Sequence, residues 1–263
     1  MSKTFNIIVA GVLFLPFFAI AQTSTCTPRL LWYVNPGSGV HRAGPGVTWM
    51  DVYVIGGGGG GGGTGNDGVT WTLGGRGGDS SFDNCTAGGG SGGKEIGHQG
   101  GGGGTNGRCD INFPGGNGSA MWGNSVGGGQ GGVNMFGGSA GAGYLEQGIP
   151  GGNTTGAGGA GGGATGYNAG AAGGGSGAVG EIFVVPASGV HTYKVGAGGF
   201  GGFAVGGGYK GGNGGSGAII IREYCDPVAP RTVAVRDSST STRGLIHNMV
   251  ANVWSVFSSL FGW

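Results

Sequence analysis

The chain has 263 residues, and 76 of them are glycine, several times the ordinary share of ~7%. Only 9% of residues are charged; the net balance is +1 and falls to zero without Lys3. So neutral a chain lacks the basic face of a nucleic-acid binder and the polybasic run that anionic membranes attract, so neither is an expected partner.

Residues 1–21 read as a signal peptide. Lys3 gives the positive start, Ile7 to Ile20 the apolar stretch, and Ala19-Ile20-Ala21 a small-x-small cleavage site before Gln22. The stretch is short for an uncleaved anchor, and no lipobox-like leucine precedes Cys26. The expected location is therefore secreted, extracellular or cell-surface, with the periplasm as an alternative.

Export makes disulfides the expected state of Cys26, Cys85, Cys109 and Cys225. Of the three pairings that four cysteines allow, the favoured one joins Cys26 to Cys225 and Cys85 to Cys109. The first bond would clamp the ends of the glycine-rich body and the second would staple a loop within it. No C-x-x-C and no neighbouring histidine pair offers metal-ligand spacing, so neither metal nor cofactor is expected.

Residues 22–55 are expected to be β-rich. The run 29–34 is a short apolar strand bounded by a turn-like 35–39, and 45–55 reads as a second strand. In the latter Met50, Val52 and Val54 alternate with Trp49, Asp51 and Tyr53, placing the two sets on opposite faces.

Between Gly56 and Gly217 lie 69 of the glycines, opening with eight in a row. Ordering such a tract costs roughly 1–2 kcal/mol per residue of backbone entropy, which favours a flexible linker. Large apolar residues argue for order, among them Trp71, Phe82, Phe113, Met135, Phe200 and Phe203. So do the strand-like runs 181–186 and 190–195. Gly196, Gly199, Gly202, Gly208, Gly211, Gly214 and Gly217 share a three-residue register, the period of a polyproline II-type helix.

A β-prone run, 218–224, closes this body just before Cys225. Residues 226–244 read as a linker. Over 245–263, Ile246, Met249, Val250, Val253, Phe257, Leu260 and Phe261 recur at helical spacing, which predicts an amphipathic helix. Such a helix would dock on the body, build a homo-oligomer or filament, or lie at a membrane interface.

The fold expected is mainly irregular and all-β. Small sheet elements flank a bundle of glycine-rich, polyproline II-type (polyglycine) helices, followed by the C-terminal amphipathic α-helix. The expected divisions are 1–21 signal peptide, 22–225 glycine-rich domain, 226–244 linker and 245–263 helix.

Catalytic motifs give little. G-x-G-x-x-G matches abound in a glycine tract, but none has the strand before it and helix after it that dinucleotide binding needs. The G-x-S-x-G matches at Ser91 and Ser139 lack the strand and helix of a nucleophile elbow. His41, His98, His191 and His247 are scattered, and the carboxylates form no assignable pair. An enzyme is not expected. Asn84, Asn117 and Asn153 match the glycosylation acceptor, as chance also allows in such loops. Aromatic side chains held at glycine-rich loop tips would make a recognition surface, and Trp71, Trp122, Phe136 and Tyr144 are the candidates. The alternative is that they fill a small core.

Three segments also carry a family resemblance. Residues 46–61 run from Gly-Val-Thr through a strand into glycines, 190–199 form a middle element, and 211–222 end in Ala-Ile-Ile-Ile-Arg. In order and content they resemble the glycine-rich domain of phage tail-fibre tip adhesins and bacterial secreted proteins. The resemblance, over roughly Val47 to Tyr224, implies layered polyglycine helices with variable loops that contact a receptor. The export signal and expected disulfides depart from the phage pattern and point to a bacterial surface or extracellular protein. The function expected is a secreted structural or adhesive protein that presents recognition loops to an extracellular or cell-surface macromolecule. The alternative is an ice-binding protein, which regular threonine or alanine rows would favour.

Overall fold

A computed structural model describes residues 26–65, 70–93, 101–119, 128–138, 146–152, 155–156, 158, 170–185, 187 and 189–226. The signal-peptide segment and the C-terminal segment 245–263 fall outside them. The compact unit that carries every described strand ends at Cys225.

β-Branched and aromatic runs form the principal strands, because such side chains pack well on a pleated surface. One five-stranded antiparallel sheet contains β1 (Arg29–Tyr33), β3 (Trp49–Ile55), β9 (Ile111–Phe113), β10 (Val179–Val184) and β12 (Ala218–Tyr224). Its spatial order is β1-β12-β3-β10-β9, so the last strand in sequence lies between the first and the third. The second sheet contains β2 (Gly37–Arg42), β6 (Ser80–Phe82), β7 (Cys85–Ala87), β8 (Asn106–Gly107) and β11 (Val190–Val195), in the order β2-β11-β6-β7-β8. A two-stranded ribbon pairs β4 (Gly63–Thr64) with β5 (Trp71–Thr72).

The two five-stranded sheets pack face to face. Met50, Val52 and Val54 of β3 and Ile219 and Ile221 of β12 meet Phe82, Cys85, Ala87 and Val195 of the second sheet. Each large apolar side chain buried here contributes about 1.5–3 kcal/mol. The opposite face of the first sheet carries a smaller cluster, in which Ile55, Val179, Ala218 and Ile220 gather Tyr53, Phe113 and Phe136. The alternation expected over 49–54 thus divides the strand between two clusters.

The glycine run is buried as backbone. From Gly57 to Gly62 successive N–H groups donate to three neighbours in rotation. Gly57 and Gly60 reach Gly78 and Gly75, Gly58 and Gly61 reach Gly215 and Gly212, and Gly59 and Gly62 reach Gly175 and Ala172, all at 2.8–2.9 Å. Two further segments donate back, Gly90 and Gly93 to Gly57 and Gly60, and Gly199 and Gly202 to Gly58 and Gly61. Residues 56–65 are all buried. This approach excludes side chains: a Cβ on Gly60 would overlap the Phe200 carbonyl.

The fold class expected from sequence is corrected in two respects. The sheets are the principal architecture and not small flanks of a helix bundle. No α-, 3-10 or π-helix occurs among the described residues, and the expected helix bundle is replaced by segments bonded side by side. The expected C-terminal α-helix, 245–263, lies outside the described residues. The physical reason is that glycine count weighed more heavily than the strand-forming runs. Those runs bury one another in sheets, and the glycines, having no side chains, satisfy their backbone laterally. One local reading changes as well. Residues 35–39, read as a turn, contribute the start of β2, where Gly37 pairs with Val195 and Gly39 with Tyr193. Pairing with β11 supplies the partner that local composition did not show.

Two disulfides hold this body, Cys26–Cys225 and Cys85–Cys109. The first joins the start of β1 to the end of its neighbour β12. The second ties β7 of one sheet to the turn before β9 of the other.

Candidate functional site

The segment that follows β11 shows how the glycine scaffold places side chains. Gly196, Gly199 and Gly202 face inward and are buried, whereas Ala197, Phe200 and Phe203 face out. Phe200 and Phe203 are 77% and 71% exposed, the largest values among the described large hydrophobic residues. Their backbone is held on several sides. Gly199 and Gly202 donate to Gly58 and Gly61 at 2.8 Å and accept from Gly214 and Gly211. Asn213 Oδ1 accepts from Gly201 N–H at 2.8 Å. The Phe200 carbonyl accepts from Gly75 N–H at 2.7 Å, and the Phe203 carbonyl from Thr72 Oγ1 at 2.6 Å.

Those last bonds come from segment 72–78, which runs antiparallel to 197–203, since Gly78 also donates to the Ala197 carbonyl. On it Leu73 is 64% exposed, and the exposed Arg76 guanidinium meets Asp79 at 2.8 Å. Asp79 Oδ1 also accepts from Gly89 N–H, which fixes the carboxylate to the scaffold. The result is a ridge of apolar side chains with an ion pair on the neighbouring segment, and the two segments are bonded to each other through the Ala197, Phe200 and Phe203 carbonyls.

Two of the four candidate aromatics, Trp71 and Phe136, lie among the described residues. Trp71 is half-buried on β5, and its indole nitrogen has no hydrogen-bond partner among the described residues. Phe136 is half-buried and packs edge-on against Tyr53, with centroids 5.9 Å apart. Trp122 and Tyr144 lie outside the described residues. Sequence reading noted Phe200 and Phe203 but did not choose them. The signal was present: they stand one position after glycines of the three-residue register, whose inward face leaves the next position outward.

Two charged clusters lie in the sheets. Between them, Glu223 on β12 takes a two-pronged bond from Arg29, at 2.6 and 2.9 Å. His41 Nε2 lies 3.1 Å from the same carboxylate but off the line of a hydrogen bond, and Tyr33 bonds His41 Nδ1 at 3.0 Å. Burial lowers the His41 pKa, against the pull of Glu223. Nearby, His191 bonds Asp83 at 2.7 Å and stacks on Phe82. These groups link β1 and β12 of one sheet to β2 and β11 of the other.

On the opposite face of the first sheet, Asp51 of β3 and Glu181 of β10 are diagonal neighbours across the strand pair. Burial raises the pKa of both, and the charge and hydrogen bond of Glu181 add to the rise of Asp51 to about 8. Arg222 opposes the shift. Burial also pushes the Tyr53 hydroxyl up. Asp51 Oδ1 has no hydrogen-bond partner among the described residues. Among the described residues no group of three or more His, Cys, Asp or Glu could hold a metal ion. Among the described residues there is no helix long and apolar enough to cross a membrane.

The paired cysteines fit an oxidising compartment, extracellular or periplasmic. Comparison with protein-family models, with curated proteins and with solved structures finds no match.

Proposed function

We propose that the mature chain is a secreted, non-enzymatic structural or adhesive module that holds side chains out from a glycine scaffold toward an extracellular partner. The observation that carries this reading is the exposure of Phe200 and Phe203 on a segment whose carbonyls are bonded to the neighbouring one. A rigid aromatic ridge loses little entropy on binding, because neither backbone nor long side chains need ordering. Soluble proteins rarely leave such side chains grouped in water without a partner. The N-terminal segment and the two disulfides support export, and the strand–glycine–strand order supports kinship with secreted adhesive domains.

Beads coated with the folded chain test the reading. They should adhere to cells of the producing organism or to their extracellular matrix, and beads coated with a Phe200→Ala, Phe203→Ala double variant should not. Adhesion no better than with albumin-coated beads would sink it. Thermal hysteresis in the same preparation would favour the ice-binding alternative.

A further inference from the structure

We propose that Phe200 and Phe203 form a stacking platform for one β-1,4-linked polysaccharide chain, an inference that rests on the adhesive reading above. The two rings stand three residues apart on one exposed register, and three residues of extended chain span about 10 Å. That length is close to the disaccharide repeat of a β-1,4-linked glycan. Such a chain turns over at each sugar, so every second ring presents the same apolar C–H face along one side. Two phenyl rings at that spacing meet two equivalent sugar faces, and their negative π-faces attract the polarised C–H groups.

The surroundings fit the edges of the same ligand. Sugar hydroxyls project sideways from the ring and need charged or polar partners within reach. Arg76 and Asp79 are paired with each other on the antiparallel neighbouring segment, with side chains 63% and 44% exposed. An exposed guanidinium and carboxylate can each bond adjacent hydroxyls. As a mutually neutral pair they offer no net charge to a lipid headgroup, which turns the choice away from an anionic membrane. The network that fixes the Phe200 and Phe203 carbonyls keeps the ring spacing before the ligand arrives.

The test is retention of the folded chain on suspended cellulose and on chitin, with soluble amylose as the α-linked control. The unaltered chain should be depleted from solution by at least one of the two β-linked polymers and should not bind amylose. Phe200→Ala and Phe203→Ala should each lower retention about tenfold, as truncating a central aromatic contact does. Phe200→Tyr, which keeps the ring, should retain binding, and Val40→Ala, an exposed change on β2, should leave it unaltered. Equal retention of the parent and the double alanine variant would overturn the proposal, as would equal binding to amylose. If no β-linked polymer retains the chain while coated beads still adhere to cells, the polysaccharide inference falls and the adhesive reading stands. If the beads fail too, both fall.

Discussion

The sheets and the glycine segments bury their backbone by opposite means. In the sheets, strand pairing is reinforced by side chains such as Met50, Val52, Phe82 and Ile219, which exclude water between the layers. In the glycine region no side chain stands between segments, and Gly57 to Gly62 reach three neighbours in turn through N–H groups alone. The first arrangement gains stability from apolar surface. The second avoids the cost of unpaired polar groups, and it tolerates no added atom. A single chain therefore holds one region limited by cavities and another limited by overlap.

Exchanging the two kinds of substitution should give the largest effect. Gly60→Val would drive a side chain into the Phe200 carbonyl, with backbone on both sides and no room to yield. It should leave no cooperative unfolding transition in calorimetry. Phe82→Ala, a fully buried truncation in the sheets, should cost about 3–5 kcal/mol but keep the transition. A folded Gly60→Val chain would show that the close approach is not required.

Removing the disulfides comes next. Cys26 and Cys225 are 199 residues apart and Cys85 and Cys109 are 24 apart. Loop-closure entropy predicts losses of about 5 and about 3 kcal/mol for the paired alanine variants, readable by denaturant titration. Equal losses would mean that the glycine region constrains the unfolded chain already.

The next effect concerns pH. Unfolded, Asp51 titrates near its ordinary ~3.9, and folded it does so at about 8. Between those values the folded chain keeps a proton that the unfolded chain has released. Stability should therefore fall as pH rises from about 4 to about 8, by at most about 1.4 kcal/mol per unit. Asp51→Asn should flatten that limb in pH-resolved thermal melts. His41 acts in the other sense: its folded pKa is lowered by burial, so stability is lost as pH drops below about 6.5. Asp51→Asn should leave that acid limb in place.

The smallest stability effect is expected on the ridge. Phe200→Ala and Phe203→Ala remove side chains that are mostly in water, so each should shift stability by no more than about 0.5 kcal/mol. A larger loss would mean that the ridge is part of the packing and not a free surface.

The comparison also separates what could be read along the chain from what could not. The runs at 49–55, 190–195 and 218–224 were legible as strands, because β-branched and aromatic residues carry that preference locally. The cysteine pairing followed from export and from where the cysteines flank the body. The outward register of Phe200 and Phe203 was implicit in the glycines at 196, 199 and 202. The Asp51–Glu181 pair and the Arg29–Glu223–His41 cluster were not legible. Their members lie far apart in sequence, and only the order β1-β12-β3-β10 and the packing of the two sheets bring them together.

By itself, then, the sequence determined the principal strands at 49–55, 190–195 and 218–224, which cysteines have partners and which residues stand beside the glycine register, since each of these is a property of near neighbours or of chemical type. Tertiary structure decided which segments pair, which acids become neighbours, and that glycine segments bond side by side instead of forming the expected helix bundle. A residue without a side chain leaves no pattern along the chain to announce its neighbours. Its hydrogen bonds are satisfied only where distant segments meet.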